Sequence, residues 1–174
     1  IQPIRPDDKQ LLEKIIDFTG IDKVELLNIL GLLEDVGLLL RRGYSLRIMP
    51  DVLGDHIAAR ACLTKTGKSN GYSESIFQNF ASLALESILR NLGELDWRVS
   101  QTDGKDSGLL EEIWKEIFSY LKTANNADRS SLLKKFKDVA SYQPKQLLEI
   151  VEYVKDNPAT QPEDEKLAKI YRYE

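Results

Sequence analysis

The sequence predicts a mainly α fold that contains one small β-hairpin. A leucine-rich helical segment begins before Glu25 and ends at Gly37, where a left-handed helix cap is expected. Two short apolar segments then flank a turn at Arg42-Gly43, and Pro50 opens the next helix. The rest of the chain reads as helices joined by short polar loops. This order is typical of the second half of a winged-helix unit, followed by an α-helical array.

The first two helices follow from capping residues and apolar spacing. Asp7 or Asp8 can cap the first helix, and Gly20 ends it. Its apolar residues recur at helical spacing: Leu11, Leu12, Ile15, Ile16 and Phe18. The second helix begins near Asp22, and six apolar residues form a wide stripe on it: Val24, Leu26, Leu27, Ile29, Leu30 and Leu33. We therefore predict that the second helix is buried on more than one side.

The hairpin and the third helix come next in the chain. We predict strands at residues 38–41 and 46–49, with a turn between them at residues 42–45. Pro50 is preorganised for a helix start, and Asp51 lies in the first turn, where the helix dipole favours an acid. The third helix carries five apolar residues: Val52, Leu53, Ile57, Ala61 and Leu63.

The domain boundary is predicted at a change of composition. Residues 1–63 form the winged-helix domain, and residues 64–72, TKTGKSNGY, form a linker loop. Residues 73–174 form the α-helical array. The array comprises a long helix from Ser73, an exposed loop at 100–107, helices at 109–121, 128–140 and 144–154, and a terminal helix from Pro162. Such a series is typical of an antiparallel array or of the start of an α-solenoid, and no fixed-period repeat distinguishes the two.

Composition narrows the class of protein. The 174 residues are 42% hydrophobic and 30% charged, which is ordinary for a globular protein. The formal net charge of −4 argues against a surface that coats nucleic acid. The single cysteine excludes an intramolecular disulfide, and no apolar run approaches the ~20 residues needed to span a bilayer. We expect a cytoplasmic fragment of a longer protein that does not contact a membrane.

One short segment imitates a phosphate-binding loop. Thr66-Gly67-Lys68-Ser69 matches the end of that motif, but the full motif needs a glycine where this chain has Cys62. The motif also needs a preceding strand, so that backbone amides can wrap the phosphates, and here a helix is predicted instead. The sequence therefore favours a chance match.

Two further candidates for chemistry involve the third helix. His56 could be grouped with Asp51, Asp55 and Cys62 as metal ligands, but His56 points about 100° away from Asp55 and no second histidine exists. Cys62 as a nucleophile would need His56 as its base, roughly opposite on the same helix. We therefore predict no metal site, no cofactor and no catalytic residues, and hence that the fragment is not an enzyme.

A contact surface is predicted on the hairpin, which forms the wing. Four residues make up this wing contact surface: Arg41, Arg42, Tyr44 and Arg47. These side chains could contact a DNA backbone, or they could pair with acids on a neighbouring domain. The helix that would read bases, residues 22–36, offers four acids against one lysine, and those acids would repel phosphates. This charge balance favours contact of the wing with a neighbouring domain over contact with DNA.

The segment GLLLRRGYSLRIMPDVLGDHI, residues 37–57, carries a family resemblance. Together with the helices on either side, it resembles the winged-helix segment that follows the ATPase core in large bacterial STAND-type NTPases. The residues that match lie at 38–42, 46–49 and Pro50, Asp51, Leu53, Asp55 and His56. The resemblance implies an ATPase core upstream of this fragment, and a winged helix that relays nucleotide state to a helical sensor.

Two functions follow as expectations. The first is a non-catalytic regulatory or interaction fragment of a larger bacterial signalling ATPase, which acts by docking on neighbouring domains of its parent chain and on other proteins. The alternative is a DNA-binding transcription regulator that combines the winged helix with a helical dimerisation or sensor domain. The alternative requires salt-dependent DNA binding that weakens when Arg41 or Arg42 is replaced by alanine.

Overall fold

The structure is a computed structural model that describes residues 3–103 and 107–159. Its described residues contain seven α-helices and one two-stranded antiparallel sheet. The predicted fold class, mainly α with one small β-hairpin, is confirmed. The terminal helix predicted from Pro162 lies outside the described residues.

The elements follow the predicted order. Their bounds are α1 Lys9–Thr19, α2 Lys23–Asp35, β1 Leu39–Arg42, β2 Ser45–Ile48, α3 Asp51–Cys62, α4 Tyr72–Asp103, α5 Glu111–Thr123, α6 Asn126–Lys135 and α7 Pro144–Asp156. A short 3-10 helix, Lys137–Val139, follows α6. The helix predicted at residues 128–140 is therefore two elements rather than one.

Local capping sets the first two helices. The Asp8 carboxylate accepts a hydrogen bond from the amide of Leu11, 3.1 Å away, and starts α1. Gly20 ends α1 with a left-handed φ of 70°, which only glycine adopts without strain. The Asp22 carboxylate accepts from the amides of Val24 and Glu25 at 2.8 and 3.0 Å and starts α2. These caps are the ones that the sequence predicts.

The hairpin closes a small core over α1 and α2. Strand β1 pairs with β2 in antiparallel register, with Leu40 opposite Arg47. The backbone of Ile4 exchanges two hydrogen bonds with Leu46, at 2.9 and 2.7 Å, and so extends the sheet by one residue pair. Five buried leucines form the core cluster: Leu12, Leu26, Leu30, Leu39 and Leu46. The hairpin is thereby held against the inner face of α2.

Helix α4 is longer than the sequence predicts. It continues through Asp103, so the first residues of the loop predicted at 100–107 belong to the helix. Its backbone departs from helical geometry at Ala84, where φ is −142° and ψ is 32°. Phe80 of α4 meets Phe18 of α1 edge to face, with ring centroids 5.3 Å apart. Arg98 of α4 forms an ion pair with Asp55 of α3.

The chain divides into two compact units, Ile1–Leu110 and Glu111–Glu174. The linker predicted at residues 64–72 lies inside the first unit, because α1 and α3 both pack on α4. The long helix α4 therefore falls in the same compact unit as α1, α2, α3 and the hairpin.

The second unit is built from α5, α6 and α7. Trp114 of α5 meets Phe136 edge to face at 5.6 Å, and Phe118 contacts Tyr153 of α7 at 5.1 Å. The charged side chain of Arg129 on α6 is buried in this unit. The solenoid character suggested by the sequence stays a prediction.

Candidate functional site

The wing contact surface lies on a tight two-residue turn. Gly43 and Tyr44 connect β1 and β2, and Gly43 takes a left-handed φ of 59°. The four side chains predicted for this surface are all exposed: Arg41, Arg42, Tyr44 and Arg47. The structure thus brings the predicted residues together on one hairpin, but it gives them different partners.

Arg41 is bound to the acidic end of α2. Its Nε and Nη2 atoms donate to the two carboxylate oxygens of Glu34, each at 2.7 Å. Such a bidentate arrangement fixes both side chains. The hydrogen bond from Arg41 holds the pKa of Glu34 below its ordinary value, and the same contact raises the pKa of Arg41. The side chain of Arg41 is therefore already engaged in an ion pair within the fold.

We expect Arg41→Ala to raise the pKa of Glu34 toward that of a free carboxyl. A lowered pKa means that the ion pair contributes stability at neutral pH and loses it as the pH falls through that pKa. The side-chain carboxyl of Glu34 can be followed by NMR across an acid titration. Arg42→Ala is the matched control and should leave this titration unchanged. An unchanged curve in Arg41→Ala would contradict the observed pairing.

Arg47 is also paired within the fold. Its Nη2 atom lies 3.0 Å from the Asp51 carboxylate in the first turn of α3. Among the described residues no ion pair forms at Arg42, and Tyr44 keeps most of its surface in solvent. Only one of the three arginines on the wing is therefore unpaired and available to an external phosphate or carboxylate.

The face of α2 that points away from the core is the feature that the sequence analysis missed. Only Leu26 and Leu30 of this helix are fully buried. Val24 is 69% exposed and Leu32 is 64% exposed, so the prediction that α2 is buried on more than one side is wrong. Apolar residues occur on every side of the helix, interspersed with polar ones, whereas the hairpin and α1 cover one side of it. The exposed apolar residues of α2 are Val24, Leu27 and Leu32, and Val36 follows the last residue of the helix; we call these four residues the α2 outer face.

Acidic residues outnumber basic ones beside the α2 outer face, where Lys23 is also exposed. Glu25 and Asp35 are exposed at its two ends, and Asn28 lies between them. Leu38 and Leu40 add exposed apolar surface on the neighbouring hairpin. Large apolar side chains exposed close together on one element are typical of a protein contact. DNA phosphates would meet apolar groups and carboxylates here.

Gly31 lies in the middle of α2 without a structural requirement for glycine. Its φ is not positive, and a Cβ built on it would meet no atom within 4 Å. Because glycine costs a helix interior about 1 kcal/mol relative to alanine, we expect Gly31→Ala to stabilise the protein by about 0.5–1 kcal/mol. Urea unfolding measures this change. A loss of stability would mean that the fold requires glycine at position 31.

The loop that imitates a phosphate site has no free amides to offer at its centre. The amide of Gly67 donates to the carbonyl of Thr64 at 3.0 Å, and that of Lys68 donates to the Thr64 hydroxyl at 3.2 Å. The amide of Ser69 donates to the carbonyl of Ser107 at 3.0 Å. Helix α3, not a strand, precedes the loop. The amides of Gly67, Lys68 and Ser69 are therefore already bonded within the fold.

The residues considered for metal binding or nucleophilic chemistry are separated. His56 is exposed, Asp55 pairs with Arg98, and Asp51 pairs with Arg47. Cys62 is buried, and burial raises the pKa of its thiol, which disfavours the reactive thiolate. Within residues 3–103 and 107–159, no group of three or more His, Cys, Asp or Glu side chains is placed to hold a metal ion.

Comparison with known proteins adds no assignment. The chain matches no protein-family model, no curated protein and no solved structure. None of the described helices is long and apolar enough to cross a membrane. The α2 outer face and the wing contact surface are thus the features on which a function can be argued.

Proposed function

We propose that this chain is a non-catalytic docking module whose winged-helix unit binds another protein through the α2 outer face. The observation that carries the proposal is the exposure of Val24 and Leu32 on the helix that a DNA-binding unit would place in the major groove. Exposing large apolar side chains on one face of a helix is unfavourable in water, unless a partner covers them.

The wing supports the same proposal. Arg41 and Arg47 are paired with Glu34 and Asp51, so their charges are largely compensated within the fold. An unpaired Arg42 beside an exposed Tyr44 suits the rim of a protein interface, where arginine and tyrosine are enriched. The partner we propose is a neighbouring domain of the parent chain or a separate protein.

The setting of this module is also a proposal. Its resemblance to the winged-helix segment of bacterial STAND-type NTPases suggests a cytoplasmic signalling ATPase as the parent protein. In that setting, the α2 outer face would contact a neighbouring domain, and the contact would report the nucleotide state to the helices that follow. The bonded amides of residues 67–69 support a role in docking rather than in nucleotide binding by this fragment.

Oxidative footprinting tests whether a partner covers the α2 outer face. Hydroxyl radicals label exposed leucines, so Leu27 and Leu32 should be labelled in the purified chain at nanomolar concentration, where it is monomeric, and protected in living cells. Leu148 on α7 is also exposed and serves as a comparison. Equal labelling of Leu32 in cells and in the purified chain would contradict the proposal.

We expect the affinity for DNA to be low and not to depend on the side chains of the wing contact surface. At physiological salt we expect a dissociation constant for duplex DNA above about 10⁻⁴ M, because the formal net charge is −4 and residues 22–36 carry four acids against one lysine. Arg42→Ala should change any residual affinity by less than about twofold. Fluorescence anisotropy across a salt titration measures both quantities. Tight binding that falls steeply with salt and weakens in Arg42→Ala would support the transcription regulator instead.

A further inference from the structure

A second exposed face lies on α3, and its chemistry differs from that of the α2 outer face. Val52 is 74% exposed, and His56, Ile57 and Arg60 are exposed beside it. Positions 52, 56 and 60 are four residues apart and so share one side of the helix. We call these four residues the α3 outer face. It is apolar toward the start of α3 and carries a cation in the last turn.

The carboxylates of α3 do not cancel this cationic character. Asp51 pairs with Arg47, and Asp55 pairs with Arg98 of α4. Arg60 has no ion pair among the described residues. An incoming surface therefore meets apolar groups together with the guanidinium of Arg60 and the imidazole of His56.

The two outer faces complement each other. The α2 outer face offers apolar groups beside the exposed carboxylates of Asp22, Glu25 and Asp35, which outnumber the one exposed lysine there, Lys23. The α3 outer face offers apolar groups flanked by Arg60. Apolar area would meet apolar area, and opposite charges would meet at the rim, which is the arrangement that steers and specifies association.

We propose that the chain binds a second copy of itself, with the α2 outer face of one copy packed against the α3 outer face of the other. This inference rests on the proposed docking function, since it names the partner of the same face. The surfaces in contact are different patches of the chain. Two copies that make this contact reciprocally form a closed isologous dimer, whereas a contact made once per pair is heterologous and repeats in a ring or filament.

Gly31 fits this contact. It lies on the exposed side of α2 between Val24 and Asp35, and its missing Cβ leaves open space. The distance between two packed helix axes depends on the side chains at the crossing point, and a glycine there permits a close approach. Gly31→Ala should therefore weaken self-association even though it stabilises the fold.

Sedimentation velocity on the 174-residue chain tests the proposal. We expect the sedimentation coefficient to rise with protein concentration in the micromolar range. Leu32→Lys on α2 and Val52→Glu on α3 should each weaken association at least about tenfold, because each places a like charge against the opposing face. Both side chains are exposed, so the fold should be retained, as circular dichroism can verify. Leu148→Lys on α7 is the matched control and should associate normally.

Mixing the two variants provides the decisive comparison. The Leu32→Lys chain keeps an intact α3 outer face and the Val52→Glu chain keeps an intact α2 outer face, so association should return in an equimolar mixture. A wild-type chain that remains monomeric at all concentrations, variants that associate normally, or a mixture that remains monomeric would each overturn the proposal. A monomeric wild-type chain whose Leu32 is still protected in cells would overturn self-association alone and leave the docking function standing.

Discussion

Phe80→Ala is expected to destabilise the first unit by about 3–5 kcal/mol. Phe80 is 2% exposed and meets the ring of Phe18 edge to face, so it joins α4 to α1. Truncation removes apolar contacts and leaves a cavity that two packed helices cannot readily close.

Urea unfolding of the full chain measures this loss. Leu83→Ala is the matched control on the same helix, because Leu83 is 43% exposed and its truncation should cost less than about 1 kcal/mol. A similar small cost for both substitutions would mean that α4 does not pack on α1 as the structure has it.

Arg129→Met is expected to destabilise the second unit by about 2–4 kcal/mol. Arg129 is only 3% exposed, and its Nε donates to the carbonyl of Leu121 at 2.9 Å. Its Nη1 donates to the carbonyl of Asn157, and its guanidinium lies over the ring of Tyr153 at 5.9 Å. The cation therefore sits at the carboxyl ends of α5 and α7, where the helix dipoles are negative.

Methionine fills a similar volume but donates no hydrogen bond, so the carbonyls of Leu121 and Asn157 would lose their donor. Arg129→Lys keeps the charge but lacks the planar guanidinium group. Its stability should therefore lie between that of the wild type and that of Arg129→Met. Lys134→Met on the exposed side of α6 is the control and should change stability by less than about 0.5 kcal/mol. Chemical denaturation monitored by the fluorescence of Trp114 reports the unfolding of the second unit. An Arg129→Met chain as stable as the wild type would contradict the assigned role.

The sequence predicts the elements well where the determinants are local. Asp8, Asp22, Gly20 and Gly37 set helix ends through contacts within a few residues, and all four act as predicted. A helix cap depends on residues that are close in sequence, which is why a single sequence suffices to predict it.

The covered side of α2 could not be predicted in the same way. Apolar residues occur all round this helix, so periodicity does not say which of Val24 and Leu26 is buried. The answer depends on the position of the hairpin, which brings Leu39 and Leu46 against Leu26 and Leu30. The same long-range information decides the pairing of Arg41 with Glu34, since a distance of seven residues across a turn carries no periodic signal.

Photo-crosslinking at position 27 tests the central claim most directly. A benzophenone amino acid placed at Leu27 in living cells reacts with whatever lies against the α2 outer face. We expect one discrete protein adduct, whereas the same probe at the exposed Ser119 of α5 should give no matching adduct. An adduct with nucleic acid at position 27, or the same adducts at both positions, would contradict the account.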